Sequence, residues 1–504
     1  MTHSSLAGKR ILIIQQRNWG VNVGHFLAKK LAAEGALLAA VTYKKSAHEF
    51  HATQKDVRYE MLINNDAVFE DPSCYIKGAP ASLEEITREL GLESIWPIVA
   101  GSREMTRSYG EAFYYSRRQQ MSDDAIERYL QGAYAYVRKI FDEFKPDAII
   151  SPLLAEPSHL MMYHMGRLRG IRPLCAVDPK VRDVLILSES PWEDAGLFYE
   201  RIDELNAGAT SPHLERARQY IKEFREAFKR PKYIEKMYEG TPLWKRVRAE
   251  FAPYRRIWDW YVHPTHNRVG PLGSTLDNQP PHIILRDHYH RNAWTRAARH
   301  FPYFPIERIQ KYVYYPLQVE PEVTLDVFAP FFSNQLELAR QVALSLPSGF
   351  TLVVKDHPLM LGLRSPEFLK DMARTTNVKL IDQSIPNEYV LKNASLVVAP
   401  NSTSLAEAAF YGIPAIQFGN QGTTQKLPNV IRHTDMTTLV HVIQKCLSQK
   451  MGGEVYERHL ANFVAAAYDA GFELNYDSAW YEGKNEELEK IWRMFYSGLS
   501  RILK

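Results

Sequence analysis

The sequence contains few cysteines and almost no excess charge. Its three cysteines among 504 residues lie far apart and form no CxxC pair: Cys74, Cys175 and Cys446. This spacing excludes a zinc ribbon and a disulfide framework, and it indicates a reducing compartment. The 62 basic residues nearly balance the 58 acidic ones, which leaves a net charge of +4. Because so small an excess does not call for a polyanionic partner, we expect no nucleic-acid binding.

Long apolar segments are also absent. Residues 1–8 are largely polar, and the apolar run at 11–14 is only four residues long. A secretory signal needs an apolar stretch of about 7–15 residues, and a membrane span needs ~18 or more. The sequence therefore predicts a cytoplasmic protein. Peripheral contact with the inner face of the cytoplasmic membrane is compatible with that prediction.

Strand and helix patterns alternate along the N-terminal part. Apolar runs predict buried parallel strands at 9–16, 36–43, 147–152 and 172–177. Helical spacing predicts helices at 25–34, 123–144 and 157–169, and a glycine-containing loop is expected at 18–24. Repeated strand–helix units of this kind are typical of a doubly wound α/β domain.

A second α/β set begins near residue 312, after a helical stretch rich in basic and aromatic residues. We predict an α/β protein with two Rossmann-like halves, a helical middle insertion and a helical C-terminus. The expected divisions are an N-terminal domain at 1–268 with its basic-aromatic segment at about 212–262, a connector at 269–308, a C-terminal domain at 309–455 and terminal helices at 456–504.

The most informative motif is a buried strand followed by a hydroxyl-rich helix start, at 398–408. Ser402, Thr403 and Ser404 lie where free backbone N–H groups and the helix dipole favour a phosphate. Glu407 lies one turn further and can accept hydrogen bonds from ribose or sugar hydroxyls. An ordinary N-cap, with Glu407 completing a capping box, accounts for the same residues and stays open.

Two other strand ends carry polar residues. Lys355, Asp356, His357 and Pro358 follow a predicted strand, where an imidazole can donate to a phosphate or a base. A loop histidine satisfied by a carboxylate is the alternative. A second group after the strand at 312–317 can bind sugar hydroxyls or take part in proton transfer, or form a solvated loop: Gln318, Glu320 and Glu322.

These motifs, in this order, resemble the capsule polysaccharide biosynthesis family of glycosyltransferases. The match covers about a hundred residues, from about 312 to 419. It includes a Pro-Leu-x-x-x-Pro-Glu segment at 316–322, a Lys-Asp-His-Pro motif with Leu-Met-Leu-Gly-x-Arg at 355–364, and the helix start followed by Gly-x-Pro-x-Ile-x-Phe-Gly at 412–419.

The resemblance implies a GT-B-like fold whose C-terminal domain binds the nucleotide sugar. In related Kdo transferases and polysialyltransferases the corresponding motifs bind the CMP of the donor. His357 would then contact the phosphate or base, and Ser402 and Thr403 the phosphate, with Lys355, Pro358, Ser404 and Glu407 completing the donor site. The resemblance further implies no cofactor and no metal, because the helix dipole and its donors can hold the phosphate.

The N-terminal half is expected to hold the acceptor and the catalytic group. Glu156 follows the strand at 147–152 and begins a helix, so we predict it as a general base or nucleophile. His25, at the start of the helix after the glycine segment, is a second candidate. Each has a purely structural role as its alternative. The segment at 182–193 is a further candidate for lining the cleft.

The basic-aromatic middle predicts a separate partner. Residues 222–256 contain eleven basic and five acidic residues with seven aromatics among them. Such a segment can lie on anionic lipid headgroups, bind an acidic glycan, or form a solvated helical pair with aromatic side chains in the core.

Together these observations predict a glycosyltransferase of surface polysaccharide synthesis. The expected donor is a nucleotide sugar, CMP-Kdo or a CMP-nonulosonate ahead of UDP sugars, and the acceptor is a glycan or a glycolipid. The alternatives are a nucleotide-sugar epimerase with two Rossmann-like halves, and a non-catalytic glycan-binding protein with a degenerate nucleotide site.

Overall fold

A mostly parallel sheet and an all-parallel sheet form the framework of the protein. The computed structural model describes residues 6–102, 105, 121–152, 156–228, 243–264, 280–449 and 451–504. Within these residues, no helix is both long and apolar enough to cross a bilayer. The predicted boundary loop at 269–281 lies almost wholly outside the described residues.

The N-terminal half supplies six strands of the first sheet. They are β1 (Arg10–Gln16), β2 (Leu37–Tyr43), β3 (Met61–Asn64), β4 (Ala148–Ser151), β5 (Arg172–Val177) and β6 (Val184–Ser188). Its helices are α1 (Arg17–Trp19), α2 (His25–Ala33), α3 (Lys45–Thr53), α4 (Ala67–Glu70), α5 (Leu83–Glu89), α6 (Trp96–Ala100), α7 (Asp123–Lys139), α8 (Pro157–Leu168), α9 (Leu197–Asn206), α10 (Leu214–Glu226) and α11 (Leu243–Val262). The next helix, α12 (Pro281–Arg299), contributes Ala298 to the core of the second sheet.

The C-terminal half forms the second sheet. Its strands are β7 (Tyr312–Pro316), β8 (Thr351–Lys355), β9 (Val378–Ile381), β10 (Leu396–Ala399), β11 (Ala415–Gln417) and β12 (Val430–Arg432), all parallel in the order β12-β11-β10-β7-β8-β9. The helices are α13 (Val323–Asp326), α14 (Gln335–Leu344), α15 (Pro366–Arg374), α16 (Asn387–Lys392), α17 (Thr403–Phe410), α18 (Gly422–Gln425) and α19 (Leu439–Ser448).

The chain then returns to the N-terminal half. It forms α20 (Glu454–Ala470), β13 (Phe472–Glu473), α21 (Tyr476–Glu482) and α22 (Asn485–Ile502). The short strand β13 pairs antiparallel with β6, so the first sheet has the order β13-β6-β5-β4-β1-β2-β3. The apolar face of α22 is buried against that sheet, with Leu488, Ile491 and Met494 in one core with Ile11 and Ile13. The predicted terminal helices therefore complete the N-terminal α/β layer.

The expected glycine loop at 18–24 is helical, which corrects the prediction. From Arg17 to Ala33 the chain runs through α1, a π-helical turn at Gly20–Gly24 and α2. A Cβ on Gly20 would lie 2.9 Å from the backbone carbon of Gln15, and one on Gly24 would lie 1.9 Å from the Gln15 Oε1 atom. The glycines thus allow this helix to pack closely against the end of β1, whereas the prediction took them as signs of a loop.

A shared core joins the two halves. Phe198 of α9 and Phe224 of α10 lie in one apolar cluster with Phe410 of α17 and Phe463 of α20. The rings of Phe224 and Phe410 are 4.4 Å apart between centroids. The helices α9 and α10 therefore hold the C-terminal end of α17 against the N-terminal half.

Candidate functional site

A cavity of about 370 Å³ opens where the strands of the second sheet end. Tyr314 of β7 pairs with Val397 of β10, and Pro316 pairs with Lys355 of β8, so the carboxyl ends of these three strands lie side by side. Ligands of doubly wound sheets bind at this edge. The lining includes Asp178, Lys180, Tyr314, Gln318, Glu322, Lys355, Asp356, His357, Pro358, Asn387, Asn401, Ser402, Thr403, Ser404, Glu407 and Gln421.

The start of α17 both caps the helix and faces the cavity. Ser402 is the N-cap, and its side chain accepts a hydrogen bond from the backbone N–H of Ser404 at 3.2 Å. The predicted capping box between Ser404 and Glu407 does not form, because the helix begins at Thr403 and Glu407 lies beyond its first turn. Ser402, Thr403 and Ser404 all line the cavity, so capping and ligand binding are compatible.

Glu407 is a buried carboxyl group with polar neighbours. Its Oε2 atom accepts a hydrogen bond of 2.6 Å from the amide of Asn387, and the Asn387 carbonyl oxygen accepts one of 2.7 Å from the hydroxyl of Tyr314. Burial raises the pKa of Glu407 to about 7, although Asn387 and Lys355 act in the opposite direction. A carboxyl group near half-protonation at neutral pH can both accept from and donate to a ligand hydroxyl.

His357 is held as a neutral hydrogen-bond donor. Its Nδ1 atom accepts a hydrogen bond of 3.2 Å from the backbone N–H of Leu359, which leaves the ring proton on Nε2. Burial, with Lys355 and Arg364 nearby, lowers the pKa of His357 to about 4. The ring therefore presents one N–H at neutral pH and carries no charge.

A buried arginine fixes the loop that carries His357. Arg364 donates to Asp356 Oδ1 at 2.8 Å and to the carbonyl oxygen of Gln318 at 2.7 Å, and Asp356 Oδ1 accepts from the His357 backbone N–H at 2.8 Å. Burial raises the pKa of Asp356 despite the opposing charge of Arg364. The motif residue Arg364 thus links the ends of β7 and β8.

Of the three predicted sugar-binding residues, two line the cavity and one does not. Gln318 and Glu322 line the cavity, and Glu322 accepts a hydrogen bond of 2.8 Å from the hydroxyl of Thr324. Glu320 is not among the lining residues. Its carboxylate is buried, accepts a hydrogen bond of 2.6 Å from the side-chain amide of Gln335, and lies 3.4 Å from a guanidinium nitrogen of Arg364. Its observed contacts stabilise the loop.

The two catalytic candidates do not line this cavity. Glu156 is the N-cap residue of α8, and its Oε2 atom accepts a hydrogen bond of 3.4 Å from Ser102. Gly101, next to Ser102, packs against Val327 of the C-terminal half, so Glu156 lies near the contact between the two halves. His25 begins α2, 3.5 Å from Asp56, and burial lowers its pKa. Their catalytic roles stay predictions.

The sequence interpretation missed the cavity residues from the N-terminal half and from α16. Asp178 and Lys180 follow β5 and reach the cavity from the opposite side. Asn387 approaches from a helix that carried no motif. The position of Asp178 directly after a predicted strand was a usable signal, because carboxyl ends of strands form ligand sites. Within the described part of the chain, no group of three His, Cys, Asp or Glu side chains is placed to hold a metal ion.

Comparison with known protein families finds a match over part of the chain. Residues 283–422 match the family model described as capsule polysaccharide biosynthesis protein. This segment contains every cavity residue contributed by the C-terminal half. A search of curated proteins finds no match.

Solved structures with coarse similarity include both transferases and an epimerase. A beta Kdo 2,7 transferase, KpsC of Thermosulfurimonas dismutans, is 13% identical over 72% of this chain and 88% of its own, with a TM-score of 0.33. The UDP-GlcNAc 2-epimerase of Methanocaldococcus jannaschii is 10% identical over 89% and 95%, with a TM-score of 0.25. The calicheamicin glycosyltransferase CalG4 is 12% identical over 99% and 100%, with a TM-score of 0.28. Such low TM-scores carry no argument about the reaction.

The family match covers the same motifs that suggested the resemblance. The helix start at 402–404 and the Lys-Asp-His-Pro segment lie inside the matched residues, and the structure brings both to one cavity at the strand ends of the second sheet. Through its residues 283–422, this chain matches the capsule polysaccharide biosynthesis family, and the matched segment carries the C-terminal side of the cavity.

Proposed function

We propose that the enzyme transfers a sugar from a CMP-linked donor, CMP-Kdo or a CMP-nonulosonate, to a glycan or lipid-linked acceptor of a surface polysaccharide. The observation that carries the proposal is the convergence of His357, the start of α17 and Glu407 on one cavity. A helix N-terminus and an imidazole N–H suit a phosphate, and a half-protonated carboxyl group suits ribose hydroxyls.

The charges of the lining support a donor with one phosphate. Its cationic side chains are Lys180 and Lys355, His357 is neutral, and the described lining residues include no arginine. Four acidic side chains share the cavity: Asp178, Glu322, Asp356 and Glu407. A CMP sugar carries one phosphate and a UDP sugar two, so this modest positive complement favours the CMP donor.

Ligand-dependent thermal stability tests the donor. CMP binding to the folded state stabilises it by about 2.7 kcal/mol at a hundredfold excess over Kd. We expect CMP to raise the Tm of the wild type and His357→Ala to abolish the shift. His300→Ala, which removes an exposed histidine outside the cavity, should keep it. Stabilisation by UDP and not CMP would favour the epimerase alternative, and no stabilisation by either would favour the non-catalytic one.

We also propose that the middle insertion contacts an anionic membrane surface. Part of the predicted segment, residues 229–242, lies outside the described residues, but α11 carries a row of exposed apolar side chains at spacings of three and four: Trp244, Val247, Phe251, Tyr254, Trp258 and Tyr261. Trp258 is 67% exposed and Tyr261 is 70% exposed. The same helix contains five basic and two acidic residues. Aromatic and basic side chains together are typical of helices that lie in the headgroup region.

Vesicle sedimentation tests this contact. The wild type should bind vesicles that contain anionic lipid at low salt and lose binding as salt rises, because the Debye length is about 10 Å at 0.1 M. Phe251→Ser with Trp258→Ser should reduce binding at least about tenfold, since both side chains are exposed. The matched control is Trp96→Ser, a tryptophan 53% exposed elsewhere. Equal binding by the double variant and the wild type would contradict the proposal.

A further inference from the structure

The turn between β5 and β6 carries a lysine to the cavity from the N-terminal half. These strands are antiparallel, with Cys175 opposite Ser188, so residues 178–183 form the turn at the carboxyl end of β5. Lys180 adopts a left-handed backbone with φ of 63°, and its N–H donates to Asp178 Oδ1 at 2.7 Å. A non-glycine residue in this conformation costs energy that the surrounding contacts must offset.

Lys180 lies where two cavities meet. The cavity described above and a second one of about 260 Å³ share four lining residues: Asp178, Lys180, Thr403 and Glu407. The second cavity extends along β6 towards Asn475 and Asp477. Thr403 is the first residue of α17, so the first turn of that helix, with its free N–H groups, lines the same junction as Lys180.

The ammonium group of Lys180 keeps its charge and can donate hydrogen bonds to a ligand. Burial lowers the pKa of Lys180, but the charges of Asp178, Glu193 and Glu322 outweigh it and raise the pKa above its ordinary value. Among the described residues, the hydrogen-bond acceptor of Nζ is Asp178 Oδ2, at 3.4 Å. An ammonium group has three N–H donors, so two remain for a ligand.

Glu193, whose charge acts on Lys180, is hydrogen-bonded to the C-terminal half. Its Oε2 atom accepts hydrogen bonds from Gln421 at 2.9 Å and from Thr423 at 3.1 Å. The backbone N–H of Gly422 donates to the carbonyl oxygen of Trp192 at 2.8 Å, and a Cβ on Gly422 would lie 2.3 Å from the carbonyl oxygen of Glu193. The carboxylate that faces Lys180 is therefore held by the opposite half of the molecule.

We infer that Lys180 binds the donor phosphate at the junction of the two cavities, opposite the first turn of α17. This assignment rests on the proposed function. It makes the phosphate a bridge between the halves, with the helix N–H groups from one side and an ammonium group from the other. The larger cavity then has room for the nucleoside, and the smaller one for the sugar that is transferred.

Calorimetric titration with CMP and with cytidine tests the inference. Lys180→Gln removes the charge and keeps an unbranched polar side chain one atom shorter, and should lower CMP affinity about ten- to a hundredfold while leaving cytidine affinity unchanged. Lys180→Arg should restore part of the CMP affinity. The matched control is Lys426→Gln, which also removes a lysine paired across the halves, with Asp203 at 2.8 Å, but lies outside both cavities.

The outcomes distinguish a failure of the proposed CMP donor from a failure of the role assigned to Lys180. A wild type that binds no CMP overturns the proposed donor and, with it, the role of Lys180. If the wild type binds CMP and Lys180→Gln binds it equally well, the inference alone is overturned. An equal loss of CMP and cytidine binding in Lys180→Gln also overturns it, because that pattern indicates a damaged site. Circular dichroism of each variant confirms that the fold is intact.

Discussion

Replacing Glu407 by glutamine removes one proton-binding group from the centre of the site without changing its shape. Glu407 is 7% exposed, and its pKa rises from an ordinary value of 4.5 to about 7 because it is buried. The folded protein therefore binds this proton more tightly than the unfolded chain does. Glutamine can still accept the hydrogen bond from Asn387, since its carbonyl oxygen can take the place of Oε2.

The sign of the effect follows from proton linkage. The stabilising contribution of a raised pKa is fully present below pH 4.5 and is lost as pH rises through 7. At 1.36 kcal/mol for each pH unit between the two values, wild-type Glu407 loses about 3 kcal/mol of folding free energy by pH 8.5. Glu407→Gln lacks this loss, so its stability relative to the wild type should increase with pH.

Urea unfolding of both proteins at pH 5.0, 7.0 and 8.5 measures the effect. Because every other group titrates alike in the two proteins, the difference between them isolates Glu407. We expect the difference to change by about 2–3 kcal/mol between pH 5.0 and 8.5, in favour of the variant at high pH. A difference that is constant across this range would show that the pKa of Glu407 is not raised by burial, and would refute the reasoning.

Further predictions concern the loop, the glycine helix, the histidine and metal. Arg364→Met should lower the free energy of unfolding by about 3–5 kcal/mol, because it removes the cationic partner of the buried carboxylates Asp356 and Glu320. Arg340→Met, which breaks an exposed pair with Glu337, should cost less than about 1 kcal/mol in the same denaturation assay. Gly20→Ala should lower the free energy of unfolding by about 1–3 kcal/mol, because the added Cβ would collide with the Gln15 backbone. Gly166→Ala should be nearly neutral in thermal unfolding, because its Cβ would meet a flexible isoleucine side chain at 3.2 Å. The NMR titration of His357 should have its midpoint below pH 5, and a midpoint near 6.5 would contradict its burial. Transfer activity should survive EDTA, and loss of activity that Mg²⁺ or Mn²⁺ restores would reveal a metal requirement.

Most strands and helices of the two sheets followed from local pattern. Buried parallel strands such as Leu396–Ala399 are continuous apolar runs, and helices such as Leu243–Val262 keep a helical spacing over their whole length. Strands that are short or half-buried were missed, as with Met61–Asn64 and Phe472–Glu473, because they lack such a run. The glycine segment at 18–24 was misread because turn chemistry and close packing favour the same residue.

The C-terminal side of the cavity was accessible from sequence because each of its motifs follows a strand. In a parallel sheet the carboxyl ends of neighbouring strands meet at one edge, so His357 after β8 and Ser402 after β10 had to come close together. The family match over residues 283–422 covers the same strand ends, and the donor-binding roles of their residues stay predictions.

The sequence by itself thus determined the two α/β layers, the family resemblance of residues 283–422 and the strand ends that bear its motifs. Only the tertiary structure decided which groups from distant segments complete the site. Lys180 and Glu193 lack a motif and lie more than a hundred residues from the helix start at Ser402, yet the packing of α9 and α10 against α17 and α20 brings them to it. The tertiary structure also decided the protonation of Glu407, because the pKa of this carboxyl group depends on its burial and on a hydrogen bond from Asn387, and no local sequence pattern encodes either.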